Sequence, residues 1–408
     1  MQKVNPTKVA SLDQYSLAVG SEMIEQLKKA AKPLVGKKIV EINSTAIGGG
    51  VAELLSSQIP MCQELGLNSE WYVIPPDDRF FQTTKGLHNC LQGECGLDSV
   101  LDFEYYQKYL RNVAQDLPKA DLYILHDPQT LGLVPFLEGK KIIWRCHIDL
   151  TEADPSSLEW LQGYYPKFDK VIFSLDAYIH GLERSRVAIV HPSIDPLTLK
   201  NIKLSDSDIM KYTEKYGISS RTPFILQVSR FDKFKNPIGV IELYKLLLPQ
   251  NPDLQCFLVG GYATDDPEGQ EYFEVVKQKA KEFDNNRIKI ISDASDLEVN
   301  ALQQQASLVI QNSSREGFGL TVTEALWKKK IVFSRPVGGI ALQIIHDRTG
   351  YYLSDNNKSN QALMDQVILR SYNYHMIGQD AHNYVKQNFV TPKMLTDYLD
   401  VYTEVINQ

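Results

Sequence analysis

Two series of short apolar runs alternate with stretches of helical spacing. The first comprises 38–42, 70–74, 122–125, 141–145, 170–173 and 187–190, and the second 224–228, 254–259, 288–291, 308–310, 331–333 and 350–353. Most of these runs are apolar at consecutive rather than alternate positions, as a parallel strand requires when helices cover both faces of its sheet. The pattern predicts an α/β chain built from two Rossmann-like halves. Between them, Pro192, Pro196 and a charged stretch over 203–216 interrupt the alternation, which puts the boundary near 192–197. The expected organisation is a domain over 1–195, a second over 196–380, and a helical tail over 381–408 that packs back across the cleft between them. The tail is read from the spacing of Tyr384, Phe389, Leu395, Tyr398, Leu399 and Tyr402. No internal repeat or low-complexity tract is visible.

Composition narrows the function classes. A length of 408 residues suits two domains, and 43% hydrophobic with 23% charged residues excludes a disordered, collagenous or coiled-coil chain. Lys and Arg total 43 against 50 Asp and Glu, a net charge of -7, so neither nucleic acid nor an anionic membrane is the default partner. The segment 1–38 has no apolar run like a signal peptide, and no stretch approaches the ~18 apolar residues of a membrane span. A cytoplasmic location is therefore expected, with the sequons at Asn43, Asn312 and Asn357 occurring by chance. The 5 cysteines, Cys62, Cys90, Cys95, Cys146 and Cys256, are scattered without a C-x-x-C pair. Neither a disulfide framework nor a structural zinc site is expected, and a reducing compartment fits.

Four stretches carry candidate chemistry. The run 45–53 (TAIGGGVAE) follows a strand and precedes a helical pattern. Its glycines admit close approach of an anion to backbone amides at a helix N-terminus, although a Gly run after a strand is equally a tight turn. The run 227–236 (QVSRFDKFKN) ends the first strand of the second half. Arg230 offers a two-pronged fork to phosphate oxygens and Lys235 a point charge, the alternative being a solvated basic loop. The run 314–325 (SREGFGLTVTEA) is the most specific. If 317–319 form a loop and Leu320 starts a helix, Glu316 sits at the helix mouth and Glu324 one turn inside, where a carboxylate can bridge two ribose hydroxyls. A glycosidase-like acid/base pair or ordinary helix-start acids are the alternatives.

The fourth stretch belongs to the first half, where His126, Asp127 and Gln129 follow one strand while Arg145, His147 and Asp149 follow the next. Strand ends in successive positions direct polar groups into one crevice, suited to sugar hydroxyls; zinc is the minority alternative, since the helical i, i+4 spacing of metal-binding histidines is absent. Lys85, His88, Asn89 and Gln92, at helical spacing, form a weaker polar cluster that reads equally as a solvated helix face.

Together these residues resemble a family. The Ser229, Arg230, Phe231 and Lys235 set, with Glu316 and Glu324 separated by seven intervening residues and the run 336–340 (PVGGI), is similar to the retaining group 1 glycosyltransferases of GT-B fold. Within them, 46–53 (AIGGGVAE), 88–93 (HNCLQG), 126–129 (HDPQ), 144–149 (WRCHID), 192–197 (PSIDPL) and 265–269 (DDPEG) resemble the nucleotide-sugar-dependent trehalose synthases and the related retaining trehalose phosphorylases. The resemblance implies transfer of glucose from ADP- or UDP-glucose to free glucose, giving α,α-trehalose with retention, reversibly. It assigns the diphosphate to Arg230 and Lys235 with Gly49 and Gly50 closing over it, and the ribose to Glu324. The donor glucose and its phosphate fall to Glu316 and the amides of Gly317, Phe318, Gly319 and Leu320. His147 is placed by the donor sugar, and Asp127, Gln129, His88, Asn89 and Gln92 toward the acceptor. No cofactor is required; magnesium is compatible with this reading without being implied by it. The partners are small sugars and sugar nucleotides, and a homodimer is allowed. A phosphorylase using glucose 1-phosphate, a group 1 transferase with another small acceptor, and a non-catalytic sugar-nucleotide binder are the rival readings.

Overall fold

The computed structural model describes residues 1–7, 10–47, 49–97, 102–219, 223–261, 267–283, 287–369 and 374–408. The chain divides into two compact units, one of 1–193 with 391–408 and the other of 194–390.

Among the described residues of the first unit, seven strands form one sheet: β1 (Gln2–Val4), β2 (Lys38–Asn43), β3 (Asn68–Val73), β4 (Leu122–His126), β5 (Lys141–Arg145), β6 (Lys170–Phe173) and β7 (Val187–Ile189). Their order is β1-β3-β2-β4-β5-β6-β7, and every pair is parallel except β1 with β3. Val40, Ile42, Leu125, Trp144 and Phe173 are buried in its core cluster. Each such side chain contributes about 1.5–3 kcal/mol by leaving water, and consecutive burial on both faces is why these strands read as apolar runs.

The second unit holds β8 (Phe224–Val228), β9 (Gln255–Val259), β10 (Ile288–Ile291), β11 (Leu308–Gln311), β12 (Val332–Ser334) and β13 (Tyr351–Tyr352). They form a parallel sheet in the order β10-β9-β8-β11-β12-β13. Ile225, Leu258, Ile310 and Phe333 lie in its core. The reversal of strand order at β8 and β11 places the loops after these two strands at a topological switch point, where open α/β sheets bind ligands.

Three features differ from the sequence reading. Strand β1 was not expected: three residues, of which Gln2 and Lys3 are exposed, carry no apolar run, and their strand state comes from pairing with β3. The stretch read as one tail consists of the helices His375–Asn388, in the second unit, and Thr391–Asn407, in the first. In the latter, Met394, Leu395, Tyr398, Leu399, Tyr402 and Val405 are buried, and the helix packs against Ser21–Ala31. Finally, a disulfide joins Cys90 to Cys95, contrary to the expectation that the cysteines stay unpaired. A turn after the helix Asp78–Leu91 brings the two together, and no C-x-x-C spacing is needed for that. Cys62, Cys146 and Cys256 are free and buried.

Candidate active site

In the second unit, β8 ends at Val228, and its loop is shaped by Asp232, whose Oδ1 accepts from the amides of Phe234 (2.9 Å) and Lys235 (3.1 Å). Asn236 then adopts a left-handed conformation (φ 48°) and caps the helix Pro237–Leu247 through a hydrogen bond from the Gly239 amide. This turn aims Lys235 at the loop after β11, where its Nζ lies 2.6 Å from Glu316 Oε2. The two loops are tied further by the Ser314 amide donating to the Phe234 carbonyl at 2.7 Å. Arg230 stays 71% exposed at its side chain, 3.8 Å from Asp232, free to reorient toward an incoming anion.

The helix expected to start at Leu320 does so, running Leu320–Trp327 from Gly319, which has φ 83° and gives no side-chain cap. Of the first-turn amides, that of Val322 donates to the Gly319 carbonyl at 2.9 Å, and at those of Leu320 and Thr321 the helix dipole favours an anion. Glu324 is buried one turn inside. A Cβ on Gly338 would sit 1.7 Å from the Glu316 carbonyl oxygen, so only glycine permits this approach. The Gly339 amide donates to the Gly317 carbonyl at 2.9 Å, and Gln343 holds both the Phe318 carbonyl (2.5 Å) and Thr323 Oγ1 (2.7 Å). The loop 317–319 is thus a built cradle. Lys328, behind Glu324, is half-buried and held by Asn201 and Gln303, and its desolvation lowers the ammonium to about 8.

In the first unit, His126 ends β4 in register with Arg145, which ends β5. His126 Nδ1 and His147 Nε2 are 2.9 Å apart, with the rings stacked 5.2 Å between centroids. His126 Nε2 lies 2.7 Å from Glu41 Oε2 on β2, and both side chains are buried. Gln58 (2.9 Å) and Tyr402 (2.8 Å) donate to Glu41 Oε1. Asp127 adopts φ 59°, and its Oδ1 accepts from the His147 amide at 2.7 Å. One of its oxygens therefore fixes the backbone beside His147. Burial raises the Asp127 carboxyl against that hydrogen bond, and burial lowers His147 well below the usual imidazole range, aided by the Arg145 charge. Arg145 is itself buried, donating to the carbonyls of Cys146, Ile172 and Val190 and to Ser174 Oγ.

Of the other residues singled out, His88 is close enough to Asp127 to act on it electrostatically, and it shares the helix Asp78–Leu91 with Asn89. Gln92 caps that helix. Gln129 Oε1 is buried without a hydrogen-bond partner among the described residues. Gly49 caps the helix Gly50–Glu64 with φ 83° and no side-chain bond, the geometry the Gly run allowed. Gly48, Asp265 and Asp266 lie outside the described residues. No group of three or more His, Cys, Asp or Glu side chains among the described residues is arranged to hold a metal, and no described helix is long and apolar enough to cross a membrane. Sequence reasoning missed Glu41, Gln58 and Tyr402 as members of the His147 network. A carboxylate amid the apolar run 38–42 was the one available signal.

Residues 41–180 match the family "Trehalose synthase, N-terminal domain" and residues 208–383 match "Glycosyl transferases group 1". The chain is 38% identical to a trehalose synthase of Thermococcus litoralis, over 96% of each chain. It is 35% identical to that of Rubrobacter xylanophilus, over 100% of this chain and 99% of the other. A trehalose phosphorylase of Pleurotus pulmonarius is 28% identical over 84% of this chain but only 54% of its own length. Among solved structures, the trehalose-6-phosphate synthase OtsA superposes with a TM-score of 0.71 at 12% identity, covering 91% of this chain and 99% of that one. HepE of Anabaena, in complex with UDP and glucose, gives 0.69 at 17% identity, covering 90% and 100%. The latter two establish the GT-B fold. Identity sustained through both units establishes more: the chain is a hexosyltransferase and belongs to the trehalose synthase family of group 1 glycosyltransferases.

Proposed function

We propose that the protein transfers glucose from ADP- or UDP-glucose to the anomeric hydroxyl of free glucose, forming α,α-trehalose with retention, and that it runs the reaction in both directions. The observation that carries this reading is the alignment with trehalose synthases over 96% of both chains, against 54% of the phosphorylase. The leaving group is a nucleoside diphosphate, so the main catalytic demand is to stabilise negative charge as it develops on the departing phosphate. Arg230, Lys235 and the amides of 317–320 are the groups suited to it, and Glu324 is the carboxylate suited to the ribose hydroxyls. No side chain is assigned as a nucleophile. In front-face transfer the acceptor hydroxyl attacks from the side the phosphate leaves, and the departing phosphate oxygen takes its proton. His147 then serves the donor sugar, while Asp127, Gln129, His88, Asn89 and Gln92 serve the acceptor.

The test is incubation with glucose and, in separate reactions, ADP-glucose, UDP-glucose or glucose 1-phosphate, followed by analysis for trehalose. Product from a nucleotide sugar supports the proposal. Product from glucose 1-phosphate alone overturns it in favour of a phosphorylase, and product from none overturns the choice of acceptor.

A further inference from the structure

The buried chain of contacts behind His147 has a chemical consequence that the roles assigned so far do not use. Glu41 is fully buried on β2, and its carboxylate receives Gln58 and Tyr402 at one oxygen and His126 at the other. A carboxylate in this setting acts only as acceptor, so His126 Nε2 is the donor to it. An imidazolium at His126 would donate to His147 Nε2 and leave the proton on His147 Nδ1. With His126 in its neutral form, its Nδ1 carries a lone pair and the 2.9 Å contact there makes His147 Nε2 the donor. By elimination the other ring nitrogen of His147, Nδ1, carries no proton. Among the described residues it takes no hydrogen-bond partner, and His147 is only half-buried, so Nδ1 remains available to a ligand.

We propose that Glu41 and His126 are positioning residues that lock His147 in its Nε2–H tautomer, so that Nδ1 presents a hydrogen-bond acceptor to a sugar hydroxyl. The inference rests on the reading of His147 as a sugar-binding group, but the tautomer itself does not. Tyr402 draws the helix Thr391–Asn407 into the same relay, so a residue 361 positions from Glu41 in sequence fixes the far end of it. The arrangement follows the logic by which a carboxylate orients a working histidine elsewhere in proteins: the partner of one nitrogen decides what the other can do.

The test uses the full chain labelled with 15N-histidine and free of ligand, with His147→Gln to assign the resonance. The expected spectrum has His147 protonated on Nε2 and bare on Nδ1. Glu41→Ala is expected to spread the proton over both nitrogens and to lower kcat by about tenfold to a hundredfold, the range for loss of an orienting partner behind a working histidine, with a smaller change in KM. Glu41→Gln is expected to keep the tautomer, because its amide oxygen still accepts from His126 while a flip of the Gln58 amide turns its buried, unpartnered Oε1 toward the new NH2. If Glu41→Ala does not fold, the tautomer of the ligand-free wild type decides. A wild-type His147 protonated on Nδ1, or a Glu41→Ala protein with unchanged tautomer and kcat, overturns the proposal. Expected tautomers in a protein that makes no disaccharide from any donor uphold the relay and count against the proposed reaction alone.

Discussion

Lys235 Nζ and Glu316 Oε2 form a 2.6 Å ion pair between the loop after β8 and the loop after β11. Their side chains are 15% and 12% exposed, so the pair is shielded without being sealed. A dianionic group arriving at the cradle 317–320 competes with Glu316 for the lysine. The pair therefore holds the cation in place, and in the proposed reaction it keeps a carboxylate beside that cation. Lys235→Ala is expected to lower kcat by about 10²–10³-fold, as removal of one preorganised charge-stabilising donor does. Arg230→Ala, at a side chain that is 71% exposed, is expected to lose most turnover with an unchanged unfolding curve. Steady-state kinetics beside circular dichroism check both, and near wild-type synthesis in either variant refutes the charge assignment.

Glycines in the two candidate anion loops do different jobs. At Gly338 a Cβ meets the Glu316 carbonyl oxygen at 1.7 Å on a backbone with φ 50°. Gly338→Ala is expected to destabilise by more than the about 1–3 kcal/mol of a strained conformation alone and to abolish donor binding. At Gly49 the conformation is also left-handed, but nothing lies within 4 Å of the new atom. Gly49→Ala is expected to cost only the about 1–3 kcal/mol of the strained conformation itself. Urea midpoints measured side by side separate the two; equal losses would contradict the close approach at Gly338.

Tyr402→Phe removes one of the donors to buried Glu41 and leaves the aromatic packing. The expected cost is about 1–3 kcal/mol, the penalty for an acceptor left short of a partner in the interior. The shift in urea midpoint measures it. A neutral substitution would mean that Glu41 finds another donor.

Glu70 responds to pH. Partial burial pushes its carboxyl up, but hydrogen bonds from Lys3, Lys38 and Tyr72 outweigh that and hold it at about 2. Its folded value lies below the unfolded one, so its contribution is fully present above the ordinary carboxylate range and fades as pH falls from about 4.5 toward 2. For a partly exposed network the effect is on the order of 1 kcal/mol. Thermal midpoints of wild type and Glu70→Gln should converge across that window, and parallel curves would sink the assignment.

The two sheets were legible because strands buried on both faces leave consecutive apolar residues, as at Ile142, Ile143 and Trp144 on β5. The helix starting at Leu320 and the buried Glu324 were legible from glycine chemistry and spacing. Contacts between distant segments were not. Tyr402 reads as one more apolar position in a helical pattern, and only the folded chain shows its hydroxyl on Glu41. Strand β1 and the Cys90 to Cys95 bond likewise depend on neighbours that three residues or a spacing of five do not announce. His147 was found as a site residue, but the network behind it draws on four other elements, β2, β4 and the helices Gly50–Glu64 and Thr391–Asn407.

The helix Thr391–Asn407 completes the first unit, although all of 194–390 comes between it and the rest of that unit. On the ribosome, β2 with Glu41 emerges long before Tyr402 exists. Until that helix arrives, the surface that receives Leu395, Leu399 and Val405 is uncovered and Glu41 lacks one donor. The second unit has no such debt, since all of its segments are contiguous. The unit translated first is therefore the last to have all of its segments, and the burial of Leu395, Leu399 and Val405 waits until 391–407 are made.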